Sequence, residues 1–493
     1  MSNECVIGVD VGTSSTKGVL TTIDGTVLAT TIRNHKVDNP RPGHFEMDGN
    51  IWWEEFQSIA QELLAHAPGK VSAIGLSGMG PCVFITDAHF TPLAPAILYG
   101  IDTRAQSQID TLNSQLGATD IFQSTDSYLS SQAAGPKLRW FLDNHPQHHN
   151  ASIRLFMPAS WLAYQLTGSY TLDRQSASQC TPLYDPHTQQ WNKKTIDHAC
   201  PQLTTPELYW SGEIVGYTTN NTCLPAGIPV IAGTIDAWAE GYSVDALQPG
   251  HLFLMYGTTM FMIATSNHRL RHPSMWGTTC VRENQWNLAG GMATSGAITT
   301  WLKDLVHNTS YEELSQQAAT ISAGSKGLLL LPYFAGERTP IQDPLARGVL
   351  AGLTLTHGAG HIYRSILEST GFAIRHNIES FSEAGATLDT INAAGGGTQS
   401  DVWLQIVSDI TGCEQLIRQY SIGAAFGDCR LAAQAIGAEA SIDKWNPVSR
   451  AITPNTIPVY DELYEMYREL YTATKDIQHR LAHIESNAQP ERR

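Results

Sequence analysis

Residues 6–20 read Val6-Ile-Gly-Val-Asp10-Val-Gly12-Thr13-Ser14-Ser15-Thr16-Lys17-Gly-Val-Leu20, with two runs of β-branched residues around a polar turn. Valine and isoleucine favour pleated strands, so the pattern predicts a β-hairpin. Gly12 permits a tight turn whose backbone N–H groups can face an anion. Lys17 adds positive charge, and Asp10 could hold a magnesium ion through water. The stretch predicts a phosphate-binding hairpin, and the alternative is an ordinary hairpin with a polar turn.

Length and charge set limits on the organisation and on the partners. The chain has 493 residues, which is too many for one hydrophobic core, so two domains are expected and length alone would allow three. Hydrophobic residues make up 42% and charged residues 15%, as in globular proteins of mixed secondary structure. The net charge of −16 argues against nucleic acids and anionic membranes as partners.

Cysteine usage and the first residues bear on the cellular compartment. The eight cysteines are scattered without a Cys-x-x-Cys pair, which fits a reducing cytosol and predicts no zinc site. The start, Met-Ser-Asn-Glu-Cys, has neither the basic residues nor the apolar run of a signal peptide. No apolar run is long enough to cross a bilayer. We therefore expect a cytoplasmic protein.

The segments after the hairpin predict a third strand from residue 25, a helix over residues 51–66 and a strand over residues 71–77. Strand, strand, strand, helix, strand is the opening order of one half of an actin- or hexokinase-type fold. Two polar residues follow at a loop, Asp102 and Arg104, which either line a pocket or form a solvated pair. Lys137, in a predicted helix, is interpreted as a surface residue.

Asp236 stands where a buried strand gives way to a helix. The preceding residues, 229–233, are apolar and end in a glycine. A carboxylate at a helix start interacts favourably with the helix dipole, so a capping role is one interpretation. The other is a general base, because neighbouring hydrophobic groups would raise its pKa towards neutrality. Both interpretations remain open from these residues alone.

A second hairpin pattern covers residues 252–264, with Gly257, Thr258 and Thr259 at its tip. It repeats the arrangement of Asp10 and Gly12 about 245 residues later. A duplicated pair of such loops predicts two similar domains that bind a polyphosphate between them. The linker Gln248-Pro249-Gly250 places the boundary there, giving predicted domains 1–246 and 247–493.

Three consecutive glycines, Gly395, Gly396 and Gly397, follow a predicted strand and precede a helix. Without side chains, they would let a flat ring lie against bare backbone near a helix N-terminus. The alternative is a loop that packs tightly for structural reasons. A helix of small residues from Gly423 is expected to pack behind this pocket.

With these motifs, the chain resembles the FGGY family of carbohydrate kinases, in the actin, hexokinase and Hsp70 superfamily. The most specific match is Gly348-Val-Leu-Ala-Gly352-Leu353, seven residues, and then the segment His361–Glu368, which fits the family's C-terminal signature throughout. The N-terminal signature is met from Lys137 to Asn144, whereas Ala134 stands where Pro, Ser or Thr is expected. The resemblance extends from Val6 to about Gly437.

The resemblance implies an α/β, two-domain actin/hexokinase-like (ribonuclease H-like) fold with a duplicated core and a cleft between the domains. It implies a carbohydrate kinase that uses ATP and Mg²⁺, with a sugar-binding N-terminal domain and an ATP-binding C-terminal domain. Asp236 corresponds to the catalytic base, and Asp10 and Asp236 to the metal site. The residues implied for the nucleotide are Asp10, Gly12, Thr13, Ser14, Lys17, Gly257, Thr258, Thr259, Gly395, Gly396, Gly397 and Ser400. Those implied for the sugar are Met79, Gly80, Pro81, Asp102, Arg104 and Asp236.

The predicted substrate is a ketopentose such as D-xylulose, giving xylulose 5-phosphate. The loop 333–340 resembles the Ser-Gly-Glu-Arg-Thr-Pro loop of pentulose kinases. However, Met79-Gly80-Pro81 stands where xylulose kinases of the family usually carry Gln-Met-His. Kinases for gluconate, glycerol, ribulose or a deoxyketohexose are therefore alternatives, as is a non-catalytic sugar sensor. A homodimer is common in the family.

Overall fold

The computed structural model describes residues 4–307 and 309–487, in two compact units. The first unit contains the described residues up to Leu247 together with 267–287 and 422–447. The second contains 248–266, 288–421 and the described residues from Val448 onward. Residues 1–3, 308 and 488–493, which the predicted domains include, lie outside the described residues.

The secondary structure of the described residues alternates short strands with helices. The strands are β1 (Glu4–Val11), β2 (Ser15–Thr22), β3 (Val27–Asn34), β4 (Asp38–Arg41), β5 (His44–Met47), β6 (Lys70–Gly78), β7 (Phe84–Thr86), β8 (Ala96–Ile97), β9 (Ile153–Phe156), β10 (Thr171–Asp173), β11 (Tyr184–Asp185), β12 (Gln190–Trp191), β13 (Leu203–Thr204), β14 (Glu207–Tyr209), β15 (Ile214–Tyr217), β16 (Pro229–Ile231), β17 (Thr234–Ile235), β18 (His251–Tyr256), β19 (Met260–Ser266), β20 (Trp276–Thr279), β21 (Trp286–Met292), β22 (Leu329–Leu331), β23 (Val349–Ala351), β24 (Thr390–Ala394), β25 (Glu414–Arg418) and β26 (Val448–Ile452). The α-helices are α1 (Gly49–Ala65), α2 (Gln106–Leu116), α3 (Ala118–Thr125), α4 (Ala134–Asn144), α5 (Pro158–Thr167), α6 (Arg174–Ser178), α7 (Lys193–Ala199), α8 (Asp236–Ser243), α9 (Gly296–Val306), α10 (Tyr311–Thr320), α11 (Ala359–Glu383), α12 (Asp401–Thr411), α13 (Ala424–Ala435), α14 (Ile442–Trp445) and α15 (Val459–Asn487). Two 3₁₀ turns cover Pro146–His148 and Gly396–Gln399.

The central sheet of the first unit has the strand order β15-β16-β6-β1-β2-β3, and β17 also pairs with β6. The pairs β1/β2 and β2/β3 are antiparallel, whereas β6 runs parallel to β1 and to β16. β15 is antiparallel to β16. The middle of β1 is buried throughout, as expected for a strand that is covered on both faces of a sheet.

The central sheet of the second unit includes β21-β19-β18-β24-β25-β26 in that order. Here β18/β19 and β25/β26 are antiparallel, and β18/β24 and β24/β25 are parallel. The strand order, and the directions of these four pairs, thus repeat those of the first unit, with β18 in the place of β1 and β24 in the place of β6. Both predicted hairpins and the duplicated core are confirmed.

The two units are discontinuous in sequence, which the contiguous domains 1–246 and 247–493 do not anticipate. The first crossing, after Leu247, lies beside the predicted boundary, but 267–287 and 422–447 pack with the first unit. The second of these segments contains α13, whose small residues allow the backbone to approach the sheet closely. A Cβ on Gly8 of β1 would lie 2.0 Å from the Ala425 carbonyl oxygen. The helix from Gly423 was expected behind the triple glycine, but it packs on β1 and β6 of the first unit, whereas the three glycines belong to the second unit.

Lys137 is buried, so its prediction as a surface residue is wrong. Its side chain is 0% exposed, and its ammonium group donates to the carbonyl oxygens of Leu98 at 2.6 Å and Tyr99 at 2.7 Å. Burial lowers the pKa of Lys137 to about 8. Phe141, one turn later on the same face of α4, is also buried. The i, i+4 spacing of the two residues on an apolar helix face could have predicted the burial of Lys137.

Two further expectations concern compartment and membrane. All eight cysteines lie in the described residues, and each has a free thiol. Within residues 4–307 and 309–487, no helix combines the length and the apolar character needed to cross a membrane.

The close approach of α13 generates a stability prediction. A Cβ on Gly75 would lie 2.1 Å from the backbone oxygen of Asp428, which cannot move without shifting α13. We expect Gly75→Ala to lower the free energy of unfolding by about 3 kcal/mol, through overpacking. Gly358→Ala is the matched control, because no atom lies within 4 Å of its Cβ and its φ is −123°. Urea unfolding would contradict the packing argument if both variants matched the parent chain.

Candidate active site

Three strands of the first unit end at one edge of the sheet. β6 is parallel to both β1 and β17, and its Ser77 is the register partner of Asp10 on β1 and of Thr234 on β17. Asp236 follows two residues after Thr234, as the first residue of α8. Because parallel strands present their carboxyl ends to the same edge, the topology brings Asp10 and Asp236 together there.

The turn after β1 has the form expected of an anion-binding loop. The N–H of Gly12 donates to the Ser15 carbonyl at 3.0 Å and closes the turn. The next two backbone N–H groups, those of Thr13 and Ser14, have no acceptor among residues 4–307 and 309–487. The hydroxyl groups of Thr13 and Tyr99 are 2.9 Å apart, and the ammonium group of Lys17 donates to the Ile422 carbonyl at 2.9 Å. The loop is fixed at its sides while donors remain at its tip.

Two residues that the sequence did not single out hold this turn from behind. One ring nitrogen of His35 is 3.0 Å from the Gly12 carbonyl oxygen, and the other is 2.9 Å from the Glu55 carboxylate. Glu55 also accepts a hydrogen bond from Thr16 at 2.5 Å. His35 lies on the segment after β3 and Glu55 on α1, so only the fold brings them to the turn.

The carboxyl groups at this edge have perturbed acidities. Burial raises the pKa of Asp236 to about 6, and the N–H of Ala237, which donates to its Oδ1 at 2.7 Å, opposes the shift. Burial, and then the negative charge of Asp236, raise the pKa of Asp10 to about 8. Ile235 is the residue that caps α8, so Asp236 is not its N-cap. A half-buried carboxylate with a pKa near neutrality suits a general base.

Glu240 is a third carboxyl group of this edge, which the sequence reasoning missed. It lies on α8 one turn after Asp236, and both side chains are half-buried. Burial, and then the charge of Asp236, raise the pKa of Glu240 to about 7, while Lys17 opposes the shift. The i, i+4 spacing from Asp236 is the signal that could have revealed it.

The residues fit a magnesium ion that is bound mainly by phosphate. Among residues 4–307 and 309–487, no three His, Cys, Asp or Glu side chains form a metal-binding group. Mg²⁺ usually takes one or two carboxylates together with water and substrate phosphates. The mutual repulsion of Asp10 and Asp236, visible in the raised pKa of Asp10, is what a cation at this edge would relieve. Asp10 and Asp236 are therefore suited to hold it.

Met79, Gly80 and Pro81 continue from β6 beside Asp236. The Met79 N–H donates to the Val11 carbonyl at 2.8 Å, and the Met79 and Pro81 side chains are buried. A Cβ on Gly80 would lie 2.6 Å from Cγ1 of Ile235, the residue before Asp236. Ile235 thus fills the space that a side chain at position 80 would need, and this side of the site is apolar.

Asp102 and Arg104 are buried against each other, so the solvated-pair alternative is wrong. The Asp102 carboxylate accepts from the Phe45 N–H at 2.7 Å and from the Arg104 guanidinium at 2.7–3.0 Å. Arg104 also donates to Glu46 at 2.6 Å and lies over the Trp140 ring. The pair fixes the loop that carries Tyr99, whose hydroxyl group reaches Thr13.

The second unit contains its own glycine turn, between β18 and β19. The Gly257 N–H donates to the Thr259 carbonyl at 3.1 Å, as the Gly12 N–H does to Ser15. The Gly257 carbonyl in turn accepts from the Gly296 N–H at the start of α9, at 3.0 Å. Thr258 at the tip is exposed. In each loop the glycine N–H thus closes the turn, onto a carbonyl three residues ahead in the first unit and two residues ahead in the second.

The three glycines after β24 have different surroundings. A Cβ on Gly395 would lie 2.4 Å from the Tyr256 carbonyl oxygen, and one on Gly397 would lie 2.8 Å from Cβ of Tyr256. These two glycines are needed for packing. Gly396 is exposed and no atom lies within 4 Å of its Cβ position. Ser400 caps α12 by accepting from the Trp403 N–H.

Comparison with known proteins covers both units. The N-terminal domain of the FGGY family of carbohydrate kinases matches residues 5–240, and its C-terminal domain matches residues 252–436. The chain belongs to the FGGY family of carbohydrate kinases. A kinase family implies the use of ATP, and the two-domain α/β fold inferred from the sequence is confirmed.

Three relatives illustrate the similarity of this FGGY kinase. It is 27% identical over 479 residues to the xylulose kinase of Escherichia coli (strain K12), covering 94% of this chain and 98% of that one. It is 30% identical to the glycerol kinase of Nocardia farcinica (strain IFM 10152), covering 82% and 85%. The crystal structure of xylulose kinase from Rhodospirillum rubrum superposes with a TM-score of 0.90 at 27% identity, covering 96% of this chain and all of that one.

The open surroundings of Gly396 generate a binding prediction. A side chain there meets no protein atom, so Gly396→Val should fold normally. If the glycine borders the nucleotide, the added side chain should raise the KM for ATP by about tenfold or more and the KM for sugar by less than about threefold.

The matched control is Gly358→Val, an exposed glycine of the same unit that also has no atom within 4 Å of its Cβ. It should leave both KM values unchanged. Equal increases for ATP and sugar in Gly396→Val, or a large loss of thermal stability, would favour a purely structural glycine loop.

Proposed function

We propose that this FGGY kinase transfers the γ-phosphoryl group of ATP to a terminal hydroxyl of a ketopentose such as D-xylulose, giving xylulose 5-phosphate and ADP. The observation that carries the proposal is Asp236. It is a half-buried carboxylate with a pKa of about 6 at the sheet edge that also holds Asp10 and the donor loop of Thr13. Phosphoryl transfer needs positioned phosphates, positive charge and one carboxylate that orients the attacking hydroxyl.

In the proposed reaction Asp236 accepts the proton of the sugar hydroxyl as its oxygen attacks the γ-phosphorus. The bond from that phosphorus to the β–γ bridging oxygen breaks, and ADP leaves. Lys17 and the N–H groups of Thr13 and Ser14 bind phosphate oxygens. Asp10 and Asp236 would hold a magnesium ion, which would supply positive charge against the phosphates when bound. Glu240, one turn after Asp236 on α8, has its own pKa raised by burial and then by the charge of Asp236, so it remains more protonated than Asp236.

We assign the nucleotide to residues of both loops. Asp10, Gly12, Thr13, Ser14 and Lys17 serve the phosphates from the first unit. Gly257, Thr258 and Thr259 form the corresponding turn of the second unit. The glycines Gly395, Gly396 and Gly397, with Ser400 at the start of α12, border the adenosine. Only Gly396 among the three glycines lacks a packing reason to be glycine, which supports a ligand there.

The sugar is assigned to Met79, Gly80 and Pro81, to the loop braced by Asp102 and Arg104, and to Asp236. The similarity to xylulose kinases over nearly the whole chain supports a ketopentose. Ile235 occupies the space beside Gly80, so this side of the site is apolar, which favours a second candidate substrate, a smaller polyol such as glycerol. In addition, a glycerol kinase is 30% identical to this chain. An apolar wall discriminates weakly, whereas a wall of hydrogen-bonding groups rejects mismatched substrates by about 10⁴-fold.

A substrate panel tests the proposal. Catalytic efficiency would be measured with ATP and Mg²⁺ for D-xylulose, ribulose, gluconate, glycerol, erythrulose and the deoxyketohexoses, by following ADP release. We expect a ketopentose to be the best substrate, with several polyols turned over less well. A tenfold advantage of gluconate or glycerol over every ketopentose would overturn the substrate assignment and leave the kinase. Sugar binding without turnover of any compound would indicate a sensor.

Asp236→Asn tests the base directly. The amide keeps the volume but cannot accept the hydroxyl proton, so kcat should fall about 10²- to 10⁴-fold while ATP still binds. Asp173→Asn is the matched control, because burial also raises the pKa of Asp173 to about 6 but its carboxylate accepts from Ser211 at 2.8 Å. Asparagine can keep that bond and the cap of α6, so turnover should persist. Turnover of Asp236→Asn within a few-fold of the parent would exclude the role.

The pH profile follows from the same carboxylate. Asp236 acts only when deprotonated, and its pKa is raised to about 6. The value of kcat/KM should therefore fall as the pH drops below about 6 and level off above it, until other groups titrate. A profile that stayed flat from pH 7 down to about pH 4.5 would require a base with an ordinary carboxylate pKa.

A further inference from the structure

A single hydroxyl group lies between two carboxyl groups at the edge of the first unit. The Ser77 Oγ is 3.0 Å from Oδ1 of Asp10 and 2.6 Å from Oδ2 of Asp428. A hydroxyl has one proton and can donate it to only one of them. The other contact needs a second proton, because two carboxylates and one serine offer a single donor for two bonds. One carboxyl group must therefore be an acid that donates to Ser77.

The surroundings of the two carboxyl groups decide which one carries that proton. Asp428 is 0% exposed, and its Oδ1 has no hydrogen-bond partner in residues 4–307 and 309–487. An ionised carboxylate with a bare oxygen in such a place would be very costly. Asp10, by contrast, is half-buried, and its Oδ1 accepts a hydrogen bond from the Ser77 hydroxyl. Burial, and then the charge of Asp10, raise the pKa of Asp428 well above its usual value.

We propose that Asp428 is a neutral carboxylic acid that positions Asp10 through Ser77. Its O–H donates to the Ser77 Oγ, and the Ser77 O–H donates to Oδ1 of Asp10. This relay fixes one oxygen of Asp10 and leaves Oδ2 for the ligand. The inference rests on the role proposed above for Asp10. Asp428 is a positioning residue, since it reaches the site only through Ser77.

The backbone around Asp428 is held in place by close packing, which suits a positioning role. A Cβ on Gly75, two residues before Ser77, would lie 2.1 Å from the Asp428 carbonyl oxygen. On its other side, a Cβ on Gly427 would lie 1.9 Å from the Ala239 carbonyl oxygen on α8. The acid thus comes from a helix that contacts both β6 and α8 at backbone distance. Neither neighbour can shift without moving the other.

The protonation state can be read directly by infrared spectroscopy. A buried neutral acid gives a carbonyl stretch distinct from that of carboxylates, so the difference spectrum between the parent chain and Asp428→Asn at neutral pD should contain one. Ser77→Ala should shift the band, because the acid loses its acceptor. The absence of such a band from the difference spectrum would overturn the proposal. This measurement requires no substrate, so it remains decisive if no sugar is phosphorylated.

Kinetics separate positioning from a charged role. Asp428→Asn offers an N–H to Ser77 in place of the O–H, so kcat should stay within about threefold of the parent. Asp428→Ala and Ser77→Ala break the relay and should lower kcat about 10- to 100-fold, as expected for a hydrogen bond to a charged group. The KM for sugar should change less than about threefold. A loss in Asp428→Asn as large as that in Asp428→Ala would overturn the neutral acid.

Ser408→Ala is the matched control for deleting a buried serine hydroxyl. Ser408 is 0% exposed, and its Oγ lies 3.0 Å from the Gln415 amide nitrogen in the second unit. We expect it to lower thermal stability as much as Ser77→Ala and to leave kcat unchanged. If both serine variants lost the same fraction of kcat, the effect of Ser77 would be structural and the relay would be excluded.

Discussion

The close approach of α13 to β1 and β6 is the packing constraint on which the first unit depends. Glycines at positions 8, 75 and 427 bring main chains to a separation that no Cβ would allow. Because the backbones are so close, polar groups of α13 and of the residue before it reach the edge of the sheet that carries Asp10. The Ile422 carbonyl, just before α13, accepts a hydrogen bond from Lys17, and Asp428 of α13 is hydrogen-bonded to Ser77. A segment that is distant in sequence thus fixes the donor loop and the carboxylate of the same site.

Electrostatics give this packing its chemical effect. Four carboxyl groups, those of Asp10, Asp236, Glu240 and Asp428, interact in a region with few cations, and burial raises the pKa of each. Such a group of acids is unfavourable by itself, and a bound cation with its phosphates would relieve it. The pKa is raised least at Asp236, which favours the ionised form at the residue proposed as the general base. The unfavourable interactions among these carboxyl groups therefore lie at the edge where a bound cation would offset them.

Local sequence patterns predicted the strands and helices of the site. The site residues that could not be predicted from the sequence are brought together only by tertiary contacts. The hairpins around Gly12 and Gly257 and the helix after Asp236 follow from β-branched runs and glycine turns, so their positions were predictable. Ser77 and Asp428 are 351 residues apart and meet only because α13 returns to the first unit. Lys137 was misjudged because a lysine suggests solvent, although its place on the apolar face of α4 indicated burial. The discontinuous units could not be inferred, since no linker composition marks the returns at 267–287 and 422–447.

The apolar surface at Gly80 and Ile235, assigned above to the proposed sugar site, also follows from strand register. Asp236 must follow directly on β17, so Ile235 is held beside Gly78, its partner on β6. Its side chain then occupies the space next to Gly80. A polar side chain at position 80 would need a smaller residue at 235, so the two positions are coupled and specificity cannot change at one alone. If this surface lines the proposed sugar site, isoleucine and glycine offer the sugar no polar side-chain group there, and hydrogen bonds to the substrate come from other residues.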